Sequence, residues 1–319
     1  MINRLLAISL LFILAAGSTG AFAAGVCFPQ SSADQKPESE PAAKPESNKS
    51  SAALRREFKS PWLIPAGERL VYEVKLSRFP LYVTLGEVTF EFLGLTSEPV
   101  INGIQAAFKP AADERLIHLR AAAVSKGLLT SLFGIDVNDR FEALVDPRDF
   151  STALSFIETR EGKRRTAQTA VFDHESQSIK YTLTDLNKPQ EPAREKALPL
   201  ESGMLDLLSA FYFVQLQKLK EGSTLRFPVN YTGQNYQFEI VIHQREKLRT
   251  ELGQFRAIKI EPKLFGPGRL FTRSGEMFLW LTDDERHIPL RAVAKAGGNT
   301  ITATLVKTEQ RCRRAAQRR

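Results

Sequence analysis

The segment Leu70-Val71-Tyr72-Glu73-Val74-Lys75-Leu76 decides the fold, because every even-numbered residue in it is apolar. A repeat of two residues places successive side chains on opposite faces of a β-strand. The nearby segment Val88-Thr89-Phe90-Glu91-Phe92 follows the same rule. Both segments are therefore predicted to be strands with one buried face.

The alternation recurs along most of the remaining chain. Further strands are predicted at residues 116–125, 139–145, 151–159, 166–172, 178–183, 224–231, 236–247, 255–261, 276–281, 289–295 and 300–308. Short turn signals such as Gly266-Pro267-Gly268 separate them, and no connection is long enough for repeated βαβ units. We predict a mainly β protein, built as a single curved antiparallel sheet or an unclosed β-barrel.

One segment, at about 204–219, breaks the β pattern. Ser202 can cap a helix that starts there, and Gly222 is placed to end it. The segment is apolar on most of its circumference, which is typical of a helix without a solvent face. We predict one buried helix enclosed by the sheet, with a buried strand followed by a turn as the alternative.

The first 23 residues have the zones of a secretory signal peptide. Arg4 supplies the positive start, residues 5–16 are apolar apart from Ser9, and Ala21-Phe22-Ala23 is a cleavage signal. A transmembrane anchor is the alternative, but the apolar run is shorter than the roughly 20 residues that span a bilayer. No later segment is long and apolar enough to span a membrane as a helix. The predicted location is the periplasm.

Two cysteines, Cys27 and Cys312, lie near the two ends of the chain. Lipid attachment at Cys27 is not expected, because Val26 stands where a lipoprotein signal needs a small residue. An oxidising compartment permits a disulfide between the cysteines without requiring one. The alternative is two free or intermolecular thiols.

Composition divides the mature chain into three parts. Residues 24–60 are predicted to be a disordered spacer rich in Ser, Pro, Glu and Lys, residues 61–310 a β domain, and residues 311–319 a basic tail. Five arginines in the tail carry most of the net charge of +8, so the folded body is almost neutral. No nucleic-acid partner is therefore expected, and the tail either is solvated or contacts lipid phosphate or an acidic glycan.

The chain shows no recognisable catalytic motif. The serine elbow G-x-S-x-G is absent, no two histidines form an H-x-x-x-H pair, and no glycine-rich segment carries the Lys-Ser or Lys-Thr of a phosphate loop. The acidic segment Asp283-Asp284-Glu285 could supply paired carboxylates, but acids between strands usually form turns. Asp136, Asp139 and Asp146 are interpreted as turn formers too. We expect no enzyme activity, no metal and no cofactor.

Six segments carry a family resemblance. The bacterial envelope family called domain of unknown function 3108 is similar to this chain at residues 67–74, Gly86-Glu87-Val88, Asp139-Arg140-Phe141, Phe172-Asp173, residues 206–212 and the late block from Trp280 to Arg291. The family has no established catalytic residues to carry over. The late block also resembles the terminal strands of periplasmic lipoprotein carriers, which implies an unclosed half-barrel with an apolar lining.

These observations favour a non-enzymatic binding or assembly module. Its concave apolar face would accept a lipid, an acyl chain or a segment of an envelope protein. The candidate groove residues are Phe211, Tyr212, Phe271, Phe278 and Trp280. The alternatives are a structural interaction domain, in which these aromatic residues pack under the helix, and a glycan or lipid hydrolase with the acidic turn at a cleft.

Overall fold

A computed structural model describes residues 60–78, 80–107, 115–126 and 136–310. The predicted signal peptide, the spacer up to residue 59, both cysteines and the basic tail lie outside these residues. The described chain opens with a short 3-10 turn at Pro61–Leu63. Its strands and its α-helix are β1 (Glu68–Arg78), β2 (Leu81–Thr96), β3 (Val100–Ile101), β4 (Ile104–Gln105), β5 (Leu116–Ser125), β6 (Asn138–Val145), β7 (Thr152–Glu161), β8 (Arg164–Asp173), β9 (Ser178–Asp185), β10 (Arg194–Pro199), β11 (Leu205–Asp206), α1 (Leu207–Gln215), β12 (Thr224–Tyr231), β13 (Gln234–Thr250), β14 (Gly253–Pro262), β15 (Glu276–Thr282), β16 (Pro289–Ala296) and β17 (Asn299–Gln310).

Fifteen of these strands form one sheet in the order β10-β9-β8-β7-β6-β5-β2-β1-β17-β16-β15-β14-β13-β12-β11. All neighbours are antiparallel except β11 and β12, which pair in parallel. The first and last strands of the domain are partners in the middle of the sheet. The predicted mainly β fold, with one curved sheet that is not closed into a barrel and one helix, is confirmed.

One face of the sheet, called here the inner face, carries the main core. On β1 the inner residues are Leu70, Tyr72, Val74 and Leu76, all buried in that core as their alternation predicts. The outer face is mostly polar, except where the short hairpin of β3 and β4 packs with residues of β5, β6 and β7 in a small second core. The pleat thus sorts the side chains into two layers.

The two edges of the sheet approach each other without pairing as strands. Lys196 Nζ, on β10, donates to the carbonyl oxygen of Gly233 at 2.8 Å, in the turn between β12 and β13. Asn235 Nδ2 donates to the carbonyl oxygen of Pro199 at 2.8 Å. A Cβ on Gly233 would lie 2.7 Å from the Tyr181 ring, so only glycine fits there. The curved sheet therefore comes close to closing on itself through side chains.

The helix is shorter than predicted, and its cap is Asp206, not Ser202. Leu205 and Asp206 pair in parallel with β12, which keeps the backbone extended up to Asp206. The Asp206 carboxylate then accepts hydrogen bonds from the backbone N–H groups of Leu208 and Ser209. The helix ends at Gln215, well before Gly222. Pairing with a strand thus overrides the local helix signal of the first residues.

Asp206 also ties the helix to β7. Ser155 Oγ donates to the Asp206 carboxylate at 3.0 Å, and the backbone N–H of Asp206 donates to Thr152 Oγ1 at 2.8 Å. Thr152 Oγ1 lies 2.8 Å from Ser209 Oγ, which completes a buried network. Burial raises the pKa of Asp206, and the hydrogen bonds that its carboxylate accepts from Ser209, Ser155 and the Leu208 backbone oppose that rise. The start of the helix is therefore fixed to the sheet.

Candidate functional site

An apolar pocket lies between α1 and strands β12 to β16. It contains about 670 Å³ of empty space, its open mouth included. The helix contributes Leu207, Ala210, Phe211 and Val214. The sheet and its connections contribute Phe227, Phe238, Ile240, Ile260, Pro262, Leu264, Met277, Leu279, Leu281 and Pro289. All fourteen lining residues are apolar.

The helix has two apolar faces, and each has a different task. Residues 207, 210, 211 and 214 follow the spacing of one helical face, and that face lines the pocket. Leu208 and Tyr212 lie on the other side and are almost completely buried, with the Tyr212 ring 5.9 Å from that of Phe92. An apolar circumference therefore marks a helix that packs on one side and leaves space on the other.

A smaller hollow continues the pocket towards β1 and β2. Its empty space is about 280 Å³, and it shares Phe211, Leu279 and Pro289 with the larger one. The Phe211 ring stacks on Phe90 with centroids 3.9 Å apart. Tyr72 lines one side of this region, where its hydroxyl donates to the carbonyl oxygen of Pro289 at 2.7 Å. Burial raises the pKa of Tyr72 well above the usual value. Phe211 thus lines two neighbouring spaces, and Arg291 also lines the smaller one.

The structure separates the five predicted groove residues. Phe211 lines both spaces. Tyr212 is buried on the other side of the helix, and Phe271 is buried in the core with its ring 5.0 Å from that of Phe265. Neither residue lines the pocket, because each is fully used in packing.

Phe278 and Trp280 lie on the outer face of β15, so their predicted place in the groove is wrong. Met277, Leu279 and Leu281 take the inner face of this strand and line the pocket. On the outside, Trp280 Nε1 donates to Glu246, and Lys259 Nζ lies 4.1 Å from the centre of the Phe278 ring. Since both sets of residues on this strand contain large apolar side chains, alternation alone could not assign its faces.

The acidic segment 283–285 forms a turn. Asp284 Oδ1 accepts from the backbone N–H groups of Arg286 at 2.9 Å and His287 at 3.1 Å, and from Thr282 Oγ1 at 2.7 Å. Asp283 pairs with Arg245 and Arg256. None of the three acids lines either apolar space. The side-chain contacts of this segment are those of a turn former.

A buried carboxyl pair on the inner face of β6 and β7 was missed from the sequence. Asp139 is not a turn residue, because it lies in β6 and accepts from the backbone N–H of Arg160 at 2.7 Å. Burial raises the pKa of Asp139 to about 6. Burial, together with the Asp139 charge, raises the pKa of Glu161 to about 7. Arg164 Nη1 lies 3.6 Å from Glu161, so one cation partly balances the pair.

Other kinds of site are not found in the described chain. Within residues 60–78, 80–107, 115–126 and 136–310, no three His, Cys, Asp or Glu side chains gather closely enough to hold a metal ion. Over these same residues no helix has the length and apolar character needed to cross a membrane. The pocket and the carboxyl pair are thus the two inner-face features to explain.

Residues 101–306 match the family described as "Protein of unknown function (DUF3108)". The chain belongs to this family. The match includes every residue that lines the larger pocket, whereas β1 and β2, which carried part of the resemblance, precede it. No curated protein matches the chain in sequence.

Two solved structures resemble the fold at low identity. One is a beta-barrel-like protein of a domain of unknown function, DUF1849, from Brucella abortus, with 11% identity, a TM-score of 0.46, and coverage of 77% of this chain and 98% of the other. The second is a putative exported protein with a YmcC-like fold from Bacteroides fragilis, with 7% identity, a TM-score of 0.33, and coverage of 80% and 100%.

Proposed function

We propose that this protein is a non-enzymatic binding module of the bacterial periplasm that holds an acyl chain in the pocket between α1 and the sheet. The observation that carries this proposal is a concave space of about 670 Å³ lined only by apolar residues. Small-molecule sites are typically concave and mostly apolar in their linings. The predicted signal peptide supports the periplasmic location.

The energetics of the pocket favour an apolar occupant. Protein interiors are normally packed as densely as organic crystals, so unfilled apolar space lacks the contacts that stabilise a core. A chain that entered the pocket would bring about 0.8 kcal/mol for each methylene removed from water. Phe211 and Leu279 are only partly buried although both belong to the apolar lining, which leaves surface for such a chain to cover.

The chemistry of the lining supports binding over catalysis. Among the described residues that line the pocket, none carries a nucleophile, a general acid or a general base. A hydrolase needs at least two such groups within hydrogen-bond reach of the substrate. The acid-rich turn does not supply them, because it does not line the pocket.

The test compares two tryptophan substitutions, one on each face of the sheet. Leu279→Trp places a large side chain in the pocket, whereas Val293→Trp, on the neighbouring strand, places it on the outer face. Uptake of a fluorescent fatty-acid probe should be saturable in the wild type, at least about tenfold weaker in Leu279→Trp, and unchanged in Val293→Trp. Thermal melting checks that both variants are folded.

Two outcomes would reject the proposal. The first is a wild type that takes up no probe, which would leave the domain as a structural interaction module. The second is a folded Leu279→Trp that binds the probe as the wild type does, which would place binding elsewhere on the protein.

A further inference from the structure

Phe211 lies at the boundary between the pocket and the smaller hollow. Three residues line both spaces, Phe211 from α1 and Leu279 and Pro289 from the sheet. Residues that line two spaces lie where those spaces meet. Phe211 has the largest side chain of the three, and it is the one that the helix supplies. Its ring therefore forms the helix side of the boundary.

The Phe211 ring is packed against the wall of the hollow. It stacks on Phe90 with an angle of 12° between the two rings. Phe90 lines the hollow and not the pocket, and it is buried. The Tyr72 ring contacts Phe90 edge-on at 5.6 Å, so this wall is itself held in place. An apolar chain in the pocket therefore meets the Phe211 ring before it reaches Phe90.

The hollow exists because two facing residues of the sheet are small. Ala292 on β16 and Ala303 on β17 are paired across the two strands, and both are buried and line the hollow. A larger side chain at either position would fill this space. Arg291 is the one charged residue among the described residues of this lining, and its guanidinium donates to the carbonyl oxygen of Arg249 at 3.0 Å. The space beyond Phe211 is thus mainly apolar, as the pocket is.

We infer that Phe211 sets the maximum length of the acyl chain that the pocket accepts, because its ring separates the pocket from the hollow. This inference rests on the proposed function, since it concerns the same chain in the same pocket. A methylene strengthens binding only where it leaves water for an apolar surface. A chain that already reaches the Phe211 ring gains nothing from further methylenes, since these stay outside the pocket. Without the ring, the hollow can receive them.

The experiment measures how affinity depends on chain length. Octanoate, decanoate, dodecanoate, tetradecanoate and hexadecanoate, each below its critical micelle concentration, compete with N-phenyl-1-naphthylamine, an uncharged fluorescent probe of apolar sites. Each buried methylene should tighten wild-type binding about fourfold. The affinity should then reach a plateau within the series, beyond which a longer acid binds no more tightly.

Phe211→Ala is the decisive variant, and it should move the plateau to a longer chain. The affinity for hexadecanoate, relative to that for the acid at the wild-type plateau, should rise from about one to about ten or more, the gain of roughly two further buried methylenes. Phe211→Leu should move the plateau in the same direction by less, because it keeps part of the side chain. Ala303→Leu, added to Phe211→Ala, should restore the wild-type plateau, because leucine fills the hollow.

Leu208→Ala is the matched control on the same helix. Leu208 is buried in the core and lines neither space. Its truncation makes a cavity on the other side of α1 and should leave the plateau at the wild-type length. Thermal melting checks that each variant is folded.

The outcomes separate this inference from the proposed function. A wild type whose affinity rises with every added methylene of the series, or folded Phe211→Ala and Phe211→Leu variants that keep the wild-type plateau, would overturn the role of Phe211 and leave the apolar pocket intact. A shift in Leu208→Ala as large as that in Phe211→Ala would also overturn it, because chain length would then depend on packing anywhere along the helix. A wild type that binds neither the probe nor any acid would overturn the proposed function itself.

Discussion

Two regions of one sheet use their inner faces in opposite ways. Strands β12 to β16 present apolar residues to α1 and leave open space between them. Strands β6 to β9 instead carry polar groups on the same face, including Asp139, Glu161 and a Tyr181 hydroxyl that donates to Gln168 Oε1 at 2.7 Å. The comparison teaches that an inward position in a curved sheet does not have to be apolar.

The polar region is stable because its groups satisfy one another. A buried polar atom is costly unless it is hydrogen-bonded, and the carboxyl pair and Gln168 all have partners. The described residues that line the pocket are all apolar and form no such hydrogen-bond network. Helix α1 covers part of this apolar surface. Asp206 connects the two regions, since it caps the helix and accepts a hydrogen bond from Ser155 on β7.

The largest expected effect tests the two sides of the helix. Leu208→Ala should cost about 2–5 kcal/mol, because Leu208 is buried in the core and its truncation leaves a cavity. Phe211→Ala should cost only about 1–2 kcal/mol, because this ring already borders empty space and loses mainly its stacking on Phe90. Free energies of unfolding from chemical denaturation provide the comparison. Equal losses in the two variants would show that the pocket side is as closely packed as the core side.

The second prediction concerns the carboxyl pair and pH. The folded-state pKa values of Asp139 and Glu161, about 6 and about 7, exceed their ordinary values. The folded protein therefore holds these protons more tightly than the unfolded chain, and the stability they contribute is lost as the pH rises from about 4 to about 7. Glu161→Gln removes the contribution of Glu161 to this loss, whereas burial still raises the pKa of Asp139. The free energy of unfolding of the variant minus that of the wild type should be up to about 3 kcal/mol larger at pH 8 than at pH 5.

Glu158→Gln is the control for this experiment. Glu158 lies on the outer face of the same strand, where it pairs with Arg140 and Arg160. Denaturation curves at pH 5 and pH 8 should show no comparable pH-dependent gain for it. A Glu161→Gln variant whose stability parallels the wild type at both pH values would mean that the buried pair does not titrate in this range.

The sequence predicts the layers of this protein better than the roles of its residues. Alternation in β1 assigned the inner face correctly, because only one set of its positions is consistently apolar. Alternation failed in β15, where both sets contain large apolar side chains and Phe278 and Trp280 lie outside. The edge strand β10 gave no signal, since it is almost wholly exposed.

The remaining errors come from contacts between distant segments. Asp206, not Ser202, caps the helix because β11 pairs with a strand that follows later in the chain. The environment of Asp139 likewise depends on Glu161 in the next strand. Local composition identifies neither contact, since each depends on the register between strands.

The smallest expected effect concerns the turn outside both inner regions. Asp284→Asn keeps an oxygen that can accept from the N–H groups of Arg286 and His287, so the free energy of unfolding should fall by only about 1 kcal/mol or less. Asp283→Asn should cost a similar or smaller amount, because one of its ion-pair partners, Arg256, is largely exposed. Neither variant should change probe uptake or the difference in stability between pH 5 and pH 8, since the acids touch neither the pocket nor the buried pair. If the wild type hydrolysed an envelope glycan or lipid, and a folded Asp283→Asn or Asp284→Asn lost that activity, the acidic turn would be catalytic and the binding-module proposal would fail.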